Sequence, residues 1–130
     1  MRKFSNTSQV VYAATTWVFG GDHTLSGLEK EEMKEAINGS ETPWSVDEDD
    51  IHWVISLWKG GNIQLDDIIE AVDNEFNFSL EDKFHLYRCV CIPMNALGQG
   101  NNSEDGWNRA HRLRDALEIE SDDYSRWAKR

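Results

Sequence analysis

"DIHWVISLWKGGNIQLDDIIEAVDNEF", residues 50–76, decides the fold. Ile51, Val54, Ile55 and Trp58 recur at i, i+3, i+4 and i+7, which places them on one stripe of an α-helix. Gly60-Gly61 breaks the pattern, and Leu65, Ile68, Ile69, Val72 and Phe76 resume it on a second helix. A strand would alternate apolar and polar residues with period two, and neither segment does. Two amphipathic helices around a glycine turn at the middle of the chain predict an all-α protein.

The same reading extends in both directions. Upstream, "SETPWSVDEDD" (residues 40–50) is a loop leading into the helix. Ser45 and Glu48 have the spacing of a capping box, and Asp47, Glu48, Asp49 and Asp50 occupy a first turn whose dipole favours negative charge. Before it, Val11, Ala14 and Val18 share one face of a helix over residues 9–19, stopped by Gly20-Gly21. Ser26 and Glu29 form a second capping box, opening a helix with Leu25, Leu28, Met33, Ala36 and Ile37 on its apolar side and Asn38-Gly39 at its end. Downstream, Ser79 and Asp82 have capping spacing, followed by Leu80, Phe84, Tyr87, Cys91 and Met94 at helical intervals. Pro93 falls inside that pattern and is expected to kink or end the helix. "GQGNNSEDG" (residues 98–106) reads as a loop. Trp107, Ala110, Leu113 and Leu117 mark a sixth helix, and Ser121-Asp122-Asp123 cap a last short one holding Tyr124 and Trp127. The expected architecture is a single bundle of six or seven short helices over residues 1–130, with residues 1–8 as a flexible tail. Helix, Gly-rich loop and helix occur once in each half, so two helical hairpins are expected to pack their apolar faces together.

Composition bounds the function. The 24 acidic against 13 basic side chains give a net charge of −11, a field that repels nucleic acid and anionic lipid. No run reaches the roughly 18–20 apolar residues of a membrane span. The stretch after Arg2 and Lys3 is too polar for a secretion signal, and a cytoplasmic location is expected. Cys89 and Cys91, two apart on a helix, point to different faces. They read as small packed thiols in a reducing compartment.

Three segments resemble the TerB-like domains, helical proteins associated with tellurite resistance. "VVYAATTWVFGGDHTLSGLEKEEM" (residues 10–33) is similar to that family's small-residue helix, acidic loop and helix start. "DIHWVISLW" and "QLDDIIEAV" are similar to its central helix pair, and "LRDALEIESDDYSRW" (residues 113–127) to its leucine–glycine–apolar stop and acidic capped helix. The resemblance implies a helical binding scaffold linked to stress or phage defence, with loop carboxylates able to hold a divalent cation. Carried onto this chain, those positions are Asp22 and Glu29 in the first loop and Asn102, Glu104 and Asp105 in the second. The family's Asp-Gly pair is Asp22-His23 here, and Gln99-Gly100 in the second unit.

The residues leave the first loop two readings. Calcium wants six to eight oxygens, and the EF-hand spacing is absent. Asp22 and Glu29 either begin a capped helix or contribute to a weak calcium or magnesium site shared between both loops. None of His23, His52, His85 and His111 lies four residues from another, so no zinc pattern is formed. His85 and Cys89 share a helix face, which reads as packing, and no catalytic residue is expected. The expected function is non-enzymatic: an acidic face of Glu41, Trp44, Asp47, Glu48, Asp49, Asp50, Asp66, Asp67 and Glu70 presented to a protein partner with a basic surface. Trp44 is the expected anchor of that face or a staple onto the next helix. Trp53, off the apolar stripe, is either a second helix contact or an anchor. The alternative is a small phage-type inhibitor whose carboxylates imitate a nucleic-acid backbone and block a basic groove.

Overall fold

The computed structural model describes residues 3–19, 27–39, 43–61, 63–97 and 103–129, with the side chains of 27–30, 32, 95–97 and 103–105 outside that description. Within it the elements are helical: α1 (Thr7–Val18), α2 (Gly27–Gly39), α3 (Glu48–Lys59), α4 (Leu65–Glu70), α5 (Leu80–Leu97), α6 (Ser103–Ala116) and α7 (Ser121–Ala128). Among the described residues there is no strand, as the apolar spacing predicts.

α1 is the centre of the bundle and packs against α2, α3, α4, α5 and α6. The sequence suggests one apolar face; instead Val10, Val11, Tyr12, Ala13, Ala14, Thr15, Thr16 and Val18 are all buried. A helix surrounded on every side must be small or apolar all round, and its two threonines are accommodated by local bonds. Thr15 Oγ1 donates to the Tyr12 carbonyl at 2.8 Å and Thr16 Oγ1 to that of Ala13 at 2.9 Å. α2 lies against both α1 and α5, and α5 against α6 and α7.

Residues 3–6, ahead of α1, are not a free tail. Phe4 is buried in the core, the Ser5 amide donates to Gln9 Oε1 at 2.7 Å, and Asn6 caps α1 by accepting from the Gln9 amide at 2.9 Å. Hydropathy gave no warning, because one phenylalanine among polar residues has no period.

Helix ends follow local chemistry with shifts of register. The α3 capping box is Asp47 with Asp50, not Ser45 with Glu48: the Asp50 amide donates to Asp47 Oδ1 at 2.9 Å and the Asp47 amide to Asp50 Oδ2 at 3.2 Å. Ser79 and Asp82 form the expected reciprocal pair, at 3.1 and 3.2 Å. The α4 stripe ends in a π turn over Ala71–Glu75, closed by Phe76 N–H to the Ala71 carbonyl at 2.9 Å, with Asn77 at φ 50° behind it. α5 does not end at Pro93 but continues to Leu97. The ring removes one amide donor, while Val90, Pro93 and Met94 stay buried around it and hold the helix.

α6 starts at Ser103, inside the stretch read as loop. Gly106 lies in its first turn, where a Cβ would come within 2.7 Å of Cε at the flexible tip of Met94. It is a close-packing glycine between α5 and α6, not a turn glycine. α6 closes on a Schellman turn, with Ile119 N–H to the Arg114 carbonyl at 3.2 Å and Glu118 N–H to that of Asp115 at 3.0 Å. Glu118 takes the left-handed position (φ 61°) where glycine is usual. α7 is preceded by Glu120 with no side-chain cap bond, and Ser121, Asp122 and Asp123 fall within the helix itself.

Candidate partner-binding face

α3 carries two stripes. Ile51 and Val54 are buried, and Ile55 and Trp58 are partly so, packed against the core. The opposite stripe is Asp49, His52, Trp53, Ser56 and Leu57, which has the same i, i+3, i+4, i+7, i+8 spacing and lines a shallow open cavity of about 450 Å3. Trp53 is 44% exposed, one of two large hydrophobic side chains left so open among the described residues. Its ring is nevertheless held, since Nε1–H donates to the Lys3 carbonyl at 2.8 Å. Lys3 Nζ in turn pairs with Asp67 Oδ1 at 3.2 Å, so the chain before α1 ties α3 to α4.

The expected acidic face divides when its residues are located. Asp50 points inward and is only 8% exposed. Its Oδ1 accepts from Asn6 Nδ2 at 3.0 Å and from Gln9 Nε2 at 3.1 Å, and its Oδ2 takes the Asp47 amide. Burial pushes its carboxyl upward, but the bonds from Asn6, from Asp47 and from Gln9 outweigh that and hold it below the usual carboxylate range. Asp47 is the helix cap. Glu48 Oε1 pairs with Lys34 Nζ at 3.0 Å, and the Lys34 pKa is raised through the hydrogen bond and charge of Glu48. Asp67 also accepts the Gln64 amide at 2.8 Å, and Glu70 accepts from Asn74 Nδ2 at 2.8 Å. Asp49 and Asp66 are exposed with no ion pair among the described residues.

Trp44 is not a surface anchor. It is 9% exposed and stacks on Phe78 with centroids 5.4 Å apart, with the His85 ring edge-on at 6.2 Å. Among the described residues its ring contacts are with Phe78 and with His85 of α5, not with α3, the next helix, so neither the anchor nor the expected staple describes it: Pro43 and Ser45 stay outside while the indole turns into the core. The fixing contact is Asn38, whose side chain pairs with Val46 as a strand neighbour would. Its Oδ1 accepts the Val46 amide at 2.7 Å and its Nδ2 donates to the Val46 carbonyl at 3.2 Å.

His85 and Cys89 do not form an accessible pair. Cys89 is fully buried, and the His85 ring sits edge-on to Trp127 at 4.8 Å. Burial pushes the Cys91 thiol up, against the Tyr87 and Tyr124 hydroxyls and Arg114, which favour the thiolate.

Asp22, Glu41 and Asn102 lie outside the described residues. Glu29 falls in the first turn of α2, and Glu104 and Asp105 in the first turn of α6, as the helix bounds place them, with side chains outside the description. Among the described residues no three of His, Cys, Asp and Glu gather to hold a metal ion. No described helix is long and apolar enough to cross a membrane.

The Asn6–Gln9–Asp50 network and the outward setting of Trp53 were beyond sequence reasoning. Spacing places Trp53 off the apolar stripe of α3, but an off-stripe tryptophan has two fates and only packing chooses. Set against models of known families, curated proteins and solved structures, the chain matches none.

Proposed function

We propose that this chain is a non-enzymatic protein-binding module whose contact surface is the outer stripe of α3. The observation that carries the reading is Trp53. Its indole stands open to solvent yet is fixed by its bond to the Lys3 carbonyl, so little side-chain freedom is lost when a partner covers it. Tryptophan is the residue type most enriched among binding hot spots. Asp49 at one end of the stripe and Leu57 at the other suit a basic, amphipathic partner segment, with a lysine or arginine over the ring face and an apolar side chain beside Leu57. The net charge of −11 steers such a partner in.

A TerB-like layout, with α1–α2 and α5–α6 as the two hairpins, belongs to the same reading, as does a role in stress or phage defence. What supports the layout is that each of those helix pairs is in contact and that Leu117-Glu118-Ile119 forms a helix stop with a left-handed middle residue.

The test is capture from an extract of the source organism on the immobilised chain, wild type beside Trp53→Ala and Asp49→Asn. A basic protein held by the wild type and lost from Trp53→Ala supports the reading. The same proteins on both columns would sink it. Retention of a nucleic-acid enzyme that collapses with salt yet ignores Trp53→Ala would favour the inhibitor that mimics a nucleic-acid backbone.

A further inference from the structure

A second cavity lies on another part of the bundle. It has a volume of about 520 Å3 and is lined by Trp17 from the end of α1, Trp58 from the end of α3, Ile63 to Asp66 leading into α4, and Arg109 and Arg112 from α6. That volume falls within the usual range of small-molecule pockets, roughly 300–1,000 Å3. The Trp58 indole is fixed, donating to Thr16 Oγ1 at 2.7 Å. Arg112 lies over the Trp17 ring at 5.4 Å from its centroid. Arg109 is anchored through Nε, which donates to the Val18 carbonyl at 2.6 Å. That bond engages one of the five guanidinium N–H donors.

The charge pattern is the informative part. Carboxylates outnumber cations 24 to 13 in this chain, and ion pairs among the described residues engage Lys3, Lys34, Lys83, Arg114 and Arg126. Arg109 and Arg112 have none among those residues, as is true of Lys59, Arg88 and Lys129, but of these five only Arg109 and Arg112 line the cavity, and they stay without an ion pair although Asp66 lines it too. Two guanidinium groups beside two indoles, in a field that would supply carboxylates readily, form a site for an outside anion. The rings select the rest of it: a flat body stacks on tryptophan while its acid group takes the fork of an arginine. The geometry points to a binding site for a small aromatic anion, a carboxylate or a monophosphate carried on a planar ring. Asp66 at the cavity wall repels that anion and limits its affinity.

Isothermal titration of the full chain tests this with four probes: naphthalene-2-carboxylate, adenosine monophosphate, the neutral naphthalene-2-methanol and inorganic phosphate. The aromatic anions bind saturably, above the neutral ring and above phosphate. Whichever of the two is tighter tells whether the acid group is carboxylate or phosphate. Arg112→Gln weakens the tighter one about tenfold, the worth of one charge-assisted hydrogen bond. Asp66→Asn tightens it, which a merely structural role for these residues would not produce. In a 15N spectrum the Trp17 and Trp58 indole signals move and that of Trp53 does not, so this result stands or falls apart from the α3 face. Equal binding of the neutral ring, equal binding of bare phosphate, no binding at all, or an Arg112→Gln chain that binds like wild type while keeping its Tm each overturns the assignment.

Discussion

Trp44 and Trp53 stand nine positions apart on either side of the same acidic turn, and they end in opposite surroundings. Trp44 is packed on Phe78 and held under a loop by the Asn38–Val46 bonds. Trp53 is on the outer stripe of α3, where a single bond to the Lys3 carbonyl orients it without covering it. The acidic residues between them divide in the same way: Asp50 is the buried node of a hydrogen-bond network, and Asp49 faces water. The same residue types are thus buried or open according to whether the local backbone turns them into the core or out to solvent.

The widest gap is expected between the two tryptophans. Trp44→Ala removes a buried ring and lowers stability by about 3–5 kcal/mol, read as the midpoint shift in urea. Trp53→Ala loses one exposed hydrogen bond and costs about 1 kcal/mol or less, while abolishing partner capture. Similar losses at both positions would break the contrast.

Next comes Asp50. Asp50→Ala strands the donors of Asn6, Gln9 and the Asp47 amide and is expected to cost about 2–3 kcal/mol; Asp49→Ala stays within about 0.5 kcal/mol. The sign of the pH effect follows from the lowered carboxyl. Its folded-state pKa lies below the ordinary 3.8, so its contribution is complete above that value and is lost as pH falls through the folded-state pKa. Urea titrations from pH 6 down to pH 2 should show a steeper acid loss for wild type than for Asp50→Asn.

Asn38→Ala removes both bonds to Val46 and is expected to cost about 1–2 kcal/mol. Because it loosens the loop that carries Trp44 inward, Trp44 should become more open to iodide quenching while Trp53 is unchanged. The smallest effect has the opposite sign. Glu118 sits at φ 61° in the Schellman turn of α6, a conformation glycine takes without the Cβ penalty. Glu118→Gly should raise stability by about 0.5 kcal/mol after the greater unfolded-chain entropy of glycine is subtracted, seen as a higher Tm with partner capture intact.

Much of the fold could be read from residue order, and particular elements show why. Ile51, Val54, Ile55 and Trp58 could be assigned because a period of 3.6 is set by the backbone itself. Ser79 with Asp82 could be assigned because a capping box lies within four residues. Misreadings occur where a distant element decides. α5 continues past Pro93, whose neighbours are buried, and α6 already includes Gly106, which packs near Met94 of α5. The capping box of α3 slides from Ser45 to Asp47, where Asp50 also receives Asn6 and Gln9 from across the bundle. Of the candidate face, the acid run and the suspicion about Trp53 were readable, while the inward turn of Trp44 and Asp50 was not.

The sequence by itself determined that this chain is helical, where most helices lie, and that its surroundings carry a strong negative field. Those properties depend on local spacing and on summed charge, and neither needs a neighbour in space. Tertiary structure alone decided that α1 is enclosed on all sides, that Phe4 belongs to the core, that Trp44 is covered and Trp53 open, and that Arg109 and Arg112 meet Trp17 and Trp58 in one cavity. Such pairings join residues tens of positions apart, and the burial that fixes them depends on the packing of whole helices, which no short stretch of chain encodes.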